Sequence, residues 1–119
     1  MPITTIHSQS EFHALIQRHR FVIIFATATW CSPCQSIKPF FEKHANASNY
    51  DPEKLAFAQF DTDEIPALHN EVGVRAIPAF FLMENEERVD NISGANPRAL
   101  KELVDTCISE LNPSSSDDF

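Results

Sequence analysis

Apolar residues recur along this chain at two spacings, and each change of spacing marks the start of an element. Ile3 to His7 reads as a short opening strand. In SQSEFHALIQRH, Phe12, Leu15 and Ile16 fall on one helical face behind serines that can cap the start. FVIIFA (Phe21 to Ala26) is an almost unbroken β-branched and aromatic run, as expected of a parallel strand buried on both faces. From Cys34 the period turns helical again, with Ile37, Phe40 and Phe41 expected on one side. Pro39 predicts a kink there, because its nitrogen cannot donate to the preceding turn. The polar stretch NASNYDPEK is a loop, and LAFAQF after it is a second buried strand. DTDEIPALHNEVGV predicts a short helix with an acidic start and Gly73 as its stop. AFFLM and ERVDNI flank the polar turn Glu84 to Glu87, giving an antiparallel hairpin. A last helix, from about Asn96 to Leu111, carries Leu100, Leu103, Val104, Cys107, Ile108 and Leu111 on one stripe. The predicted organisation is one α/β domain over residues 1–111, with a disordered tail at 112–119. Its strands alternate with helices and end in a hairpin, so we expect a central mixed sheet flanked by helices on both faces.

Composition narrows the function. A chain of 119 residues buries roughly two-thirds of the surface its unfolded form exposes, so it needs neither metal nor disulfide to fold. No segment is long and apolar enough to cross a bilayer, and the N-terminal stretch lacks the basic start and apolar block of a signal peptide. A reducing, cytoplasmic setting is therefore expected, where lasting structural disulfides are rare. Net charge is −8, from 17 acidic against 9 basic residues, which argues against sequence-independent nucleic-acid binding. No membrane association is expected, and a monomer is.

Cys31 and Cys34 carry the candidate chemistry, and three uses of such a pair compete. As a staple, the pair would close a loop so short that the chain-entropy gain is only about 2 kcal/mol. As metal ligands, the two cysteines need partners. Cys107 sits on an apolar stripe, however, and His7, His13, His19, His44 and His69 are scattered, so no metal site is expected. The acidic residues Asp61, Asp63 and Glu64 read as a solvated helix start rather than a calcium site. As a redox pair, the cysteines occupy a strand-to-helix turn, where first-turn N–H groups and the helix dipole favour a thiolate at Cys31. Pro33 loses nothing by lacking an N–H there. Cys34, one turn on and less exposed than Cys31, is within reach of a disulfide.

The stretch ATWCSPCQSIKPFF resembles the active-site signature of the thioredoxin family, W-C-G-P-C and a proline five residues after the second cysteine, with Ser32 in place of the glycine. FDTDE, VRAIPAFFLM and SGAN extend the resemblance over about residues 3 to 111, and the loop near Asn46 to Glu53 is slightly long for the family. The resemblance implies the thioredoxin fold and a small thiol–disulfide oxidoreductase that reduces protein disulfides. Cys31 would be the nucleophile that forms a mixed disulfide with substrate, and Cys34 would resolve it. Trp30 would be an apolar lip, with Ser32 and Pro33 beside it. Ala76, Ile77 and Pro78 would form a substrate-facing loop with a cis Ile77–Pro78 bond, and Gly94 would leave room for the substrate. No bound cofactor is implied. Electrons would come from an NADPH-dependent flavoprotein thioredoxin reductase, and the partners would be that reductase and disulfide-containing proteins. The competing reading is a thioredoxin-fold binding subunit with low turnover. An oxidant of a secretory compartment is disfavoured because no histidine lies between the cysteines.

One departure stands out. Six residues before the first cysteine the family usually has a buried aspartate, and here that position is Phe25. The lysine that often accompanies the aspartate on the neighbouring strand is replaced by Gln59. The joint loss is physically consistent, since either charge buried alone would be costly.

Overall fold

The computed structural model describes residues 2–112, so apart from Asn112 the expected tail lies outside the described residues. Nine elements follow one another: β1 (Ile3–Thr5), α1 (Gln9–Arg18), β2 (Phe21–Thr27), α2 (Ser32–Asn46), β3 (Leu55–Asp61), α3 (Pro66–Val72), β4 (Ala79–Glu84), β5 (Glu87–Ser93) and α4 (Pro97–Leu111). The strands form one sheet in the order β1-β3-β2-β4-β5. β1, β3 and β2 run parallel, whereas β4 is antiparallel to β2, and β5 to β4.

β2 is the axis of the molecule because both of its faces are apolar. Phe21, Ile23 and Phe25 point into a cluster with Ile37 and Phe41 of α2 and Leu100, Leu103 and Val104 of α4. Val22, Ile24 and Ala26 point the other way, against Phe12 and Leu15 of α1 and Leu68 and Val72 of α3. Each such side chain contributes roughly 1.5–3 kcal/mol on burial. The strand-period alternation of a wholly apolar run thus produces two cores, one under each helix pair.

Polar caps fix the helix starts. Ser8 Oγ accepts the Glu11 N–H at 3.1 Å before α1, and Asn96 Oδ1 accepts the Arg98 and Ala99 N–H groups before α4. Two expectations need correction. Phe40 is 45% exposed. The buried stripe of α2 is Cys34, Ile37, Phe41 and Ala45, and Phe40 lies a full 100° step from Phe41 around the helix. The acidic residues before α3 do not cap it either. Its N-cap is Ile65, without a side-chain hydrogen bond, and Pro66 opens the helix. Asp61 instead accepts the Asp63 N–H at 2.8 Å, and Glu64 pairs with His7 across 3.1 Å. α2 runs through Pro39 to Asn46. The hairpin turns through Asn85 and Glu86, both at positive φ.

Candidate active site

β2 delivers the chain to the site, and α2 begins there. The Cys31 N–H donates to the Ala28 carbonyl at 3.2 Å, which turns the backbone out of the strand. Cys31 then serves as the N-cap of α2, its Sγ accepting the Cys34 N–H at 3.2 Å. Cys31 and Cys34 are joined as a disulfide with their Cα atoms 5.3 Å apart, a spacing usual for such a bond. A negative charge on Cys31 Sγ would face the first-turn N–H groups and the positive end of the helix. Cys31 retains more accessible surface than Cys34, but at 3% and 0% both are buried. The expected open sulfur at Cys31 is thus largely covered. As N-cap its Sγ turns inward to the Cys34 N–H, and both cysteines belong to the cluster under α2 and α4.

Trp30 is 67% exposed, and its Nε1 donates to Asp63 Oδ2 at 2.7 Å. That bond holds the indole over the α3 side of the site. Ser32 and Pro33 are exposed in the first turn of α2. In the loop before β4, Ala76 is exposed, Ile77 is half-buried and Pro78 is buried, with a cis Ile77–Pro78 bond. The Pro78 carbonyl accepts the Gly94 N–H at 2.8 Å, tying this loop to the end of β5. Gly94 has φ +94°, and a Cβ there would meet no protein atom within 4 Å. Its backbone angle demands glycine, and the space before it is open. A hollow of about 590 Å³ runs beside the site, lined by Trp30, Asp63, His69, Arg75, Ala76 and Ile77 among others.

Below the disulfide, Phe25 pairs in register with Gln59. The Phe25 ring is buried, stacked on Phe80 at 4.8 Å and tilted against Phe41 at 5.3 Å. Gln59 donates its Nε2 to Thr5 Oγ1 at 3.2 Å. Both positions are neutral and both are satisfied. A narrow hollow of about 120 Å³ adjoins them, and its ionisable walls are Lys38 and Asp61. Cys107 lies in the same core, its thiol pushed up to about 12 by burial and secondarily by Glu84, Asp90 and Glu110. Burial thus disfavours its thiolate, the nucleophilic form. Among the described residues, no group of three or more His, Cys, Asp or Glu side chains could hold a metal.

A family model described as Thioredoxin matches residues 3–106. The chain belongs to the thioredoxin family. Thioredoxin-1 of Schizosaccharomyces pombe is 34% identical over 102 residues, covering 86% of this chain and 95% of that protein. The thioredoxin of Coprinus comatus is 35% identical over 102 residues, covering 86% and 94%. Among solved structures, the thioredoxin of Malassezia sympodialis superposes with a TM-score of 0.83 at 32% identity, over 89% of this chain and 90% of that one. The oxidised mitochondrial thioredoxin 3 of Saccharomyces cerevisiae gives 0.79 at 34%, over 87% and 94%. With its cysteine pair in place, this thioredoxin-family chain is a thiol–disulfide oxidoreductase, a protein-disulfide reductase. Asp63, His69 and Arg75 were missed as wall residues of the site. Trp30 and Asp63 are 33 positions apart, and nothing in the sequence distinguishes Asp63 from Asp61 as the indole's partner. Arg75 carried a signal, standing three residues before Pro78.

Proposed function

We propose that Cys31 is the attacking thiolate and Cys34 the resolving thiol in the reduction of protein disulfides. In the reduced protein, Cys31 Sγ attacks one sulfur of the substrate disulfide and expels the other as a thiolate. Cys34 then loses its proton and attacks Cys31 Sγ. The intramolecular disulfide re-forms, the second substrate thiol leaves, and two electrons have passed to the substrate. The observation that carries this order is the N-cap geometry. Only Cys31 Sγ receives the Cys34 N–H, at 3.2 Å, while Cys34 is wholly buried one turn behind it. Trp30, Ser32, Pro33, Ala76, Ile77, Pro78 and Gly94 would form the surface that meets the substrate. Electrons would be restored by an NADPH-dependent flavoprotein thioredoxin reductase. A monomer working in the cytoplasm is the setting proposed, and no helix among the described residues is long and apolar enough to cross a membrane.

The neutral Phe25–Gln59 pair bears on the second step. With no carboxyl group at position 25, Cys34 must ionise unaided, so resolution should be slow and rise with pH. The first attack should stay fast. Stopped-flow single turnovers from pH 6 to 9 on a fluorescent disulfide substrate test this, with Cys34→Ser trapping the mixed disulfide on Cys31. A Cys31→Ser variant that trapped the substrate through Cys34 just as readily would reverse the assignment. A resolution step that is fast and flat with pH would point to another base, with Asp61 first in line.

A further inference from the structure

Arg75 stands between two hollows. It lines the one beside Trp30 and Ile77, and also a second of about 270 Å³ that it shares with Gly73, Phe81, Arg88, Asn91 and Ser93. The strand register explains the composition of this second hollow. Arg88 pairs with Met83, Asn91 with Phe81 and Ser93 with Ala79, and those β4 residues belong to the α1/α3 core. The β5 carboxylates pair differently: Asp90 stands opposite Leu82, of the α2/α4 core, and Glu87 opposite Glu84. Alternation along β5, adjusted by the irregularity at Leu82/Met83, therefore gathers cations and hydrogen-bonding groups on this face.

The two guanidinium groups differ in how they are held. Arg88 Nη1 donates to the Val72 carbonyl at 2.9 Å, and its head lies 5.8 Å from the Phe81 ring centroid. Part of its fork stays open. Arg75 is exposed and makes no ion pair or side-chain hydrogen bond among the described residues. The chain has 17 acidic residues against 9 basic, yet among the described residues no carboxylate lies within ion-pair distance of either arginine. Two like charges in one hollow without a counter-charge favour an incoming anion, and a guanidinium fork suits a carboxylate. Asn91 and Ser93 add polar side chains beside them. The chain links the hollow to the cis loop at two points. Arg75 leads into Ala76–Pro78, and Ser93 precedes Gly94, whose N–H binds the Pro78 carbonyl.

We propose that this Arg75–Arg88 hollow takes up a carboxylate side chain of the substrate protein, so that disulfides in extended acidic segments are preferred. The proposal rests on the reading that the Trp30–Pro78 surface faces the substrate. The preference is local, because the whole chain at −8 repels an acidic partner.

Two peptides would test it, each carrying a cysteine in mixed disulfide with a chromogenic thiol and differing only in Asp or Asn at the flanking positions. The expected kcat/KM of the reduced wild type favours the Asp peptide by about two- to fivefold, the scale of one exposed ion pair. Arg75→Gln brings that ratio to about one, and Arg75→Glu inverts it. Lys43→Gln, with the same change in net charge on a distant surface, keeps the preference. A wild type without preference, or a preference that survives Arg75→Gln, overturns the proposal and leaves the Cys31 assignment standing. If the wild type reduces neither peptide, the Cys31 assignment falls and the proposal falls with it.

Discussion

At position 25 an aromatic ring fills the space between Phe41 and Phe80, and replacing it tests two effects at once. Phe25→Asp removes a stacked ring and buries a carboxyl group with no cation in register, since Gln59 faces it. Large-to-small substitution at such a site costs about 3–5 kcal/mol, and an unpaired buried polar group adds to that. The expected result is a resolution step that accelerates while the urea midpoint falls sharply. Phe25→Asn should lose comparable stability without the acceleration, and equal rates in the two variants would remove proton transfer from the account. Much at this scale was readable beforehand. Cys31 and Cys34 stand three apart on one strand-to-helix turn, a grouping with few readings, whereas the places of Trp30 and Pro78 were implied by the resemblance. The Trp30–Asp63 bond was not readable, because which of three neighbouring acids meets the indole depends on the turn between β3 and α3.

The hairpin between β4 and β5 places Asn85 at φ +50° and Glu86 at φ +72°. Two successive residues at positive φ in a two-residue loop match the twist of the flanking strands, and the second is usually glycine. An L side chain in that region costs about 1 kcal/mol. Glu86→Gly should therefore raise stability by roughly 0.5–1 kcal/mol, partly offset by the freer unfolded chain. Thermal melts should show a gain of a few degrees, and a loss would mean that the Glu86 side chain itself supports the turn. The central strands β2, β3 and β4 were the easiest elements to read, because their burial leaves an apolar run that a solvated helix never shows. Helix faces were harder. Phe40 looked apolar enough to be inside, but the bulk of Phe41 and Ile37 already fills the space above β2 and β3. The start of α3 was misread because the acids there serve the preceding turn and neighbouring elements instead of the helix.

Across the whole molecule, burial raises Tyr50 and Cys107 in the alkaline range, whereas in the acid range His44 and Glu71 are both lowered. Burial lowers the His44 imidazolium, with Lys101 and Lys43 adding to it and Asp105 opposing. Burial alone would raise the Glu71 carboxyl, but hydrogen bonds from His13 and Gln9 outweigh it and hold the group below its ordinary value. Both groups bind fewer protons folded than unfolded, so each contributes stability above its unfolded pKa that is lost as pH falls through its folded one. His7 is raised by its hydrogen bond to Glu64 and has the opposite sign, but it is fully exposed and screened by solvent. Stability should thus decline below about pH 6.5, first through His44 and at lower pH through Glu71. Urea titrations of His44→Gln and Glu71→Gln should each flatten the slope in its own window, and an unchanged slope in both would place the acid sensitivity elsewhere.

The chain has only two glycines, Gly73 and Gly94, and both adopt positive φ. They bracket the segment that carries the cis loop and the β4–β5 hairpin. Elsewhere every residue bears a side chain that narrows its backbone choices. The surface proposed to meet a partner is therefore expected to lose little entropy of its own on contact. Adjustment falls to the other molecule. A cystine in a slack loop or frayed terminus can bend to fit, whereas one locked in a stiff fold must first be loosened. On this reading, cystines in slack loops are expected to be reduced faster than those held in a stiff fold.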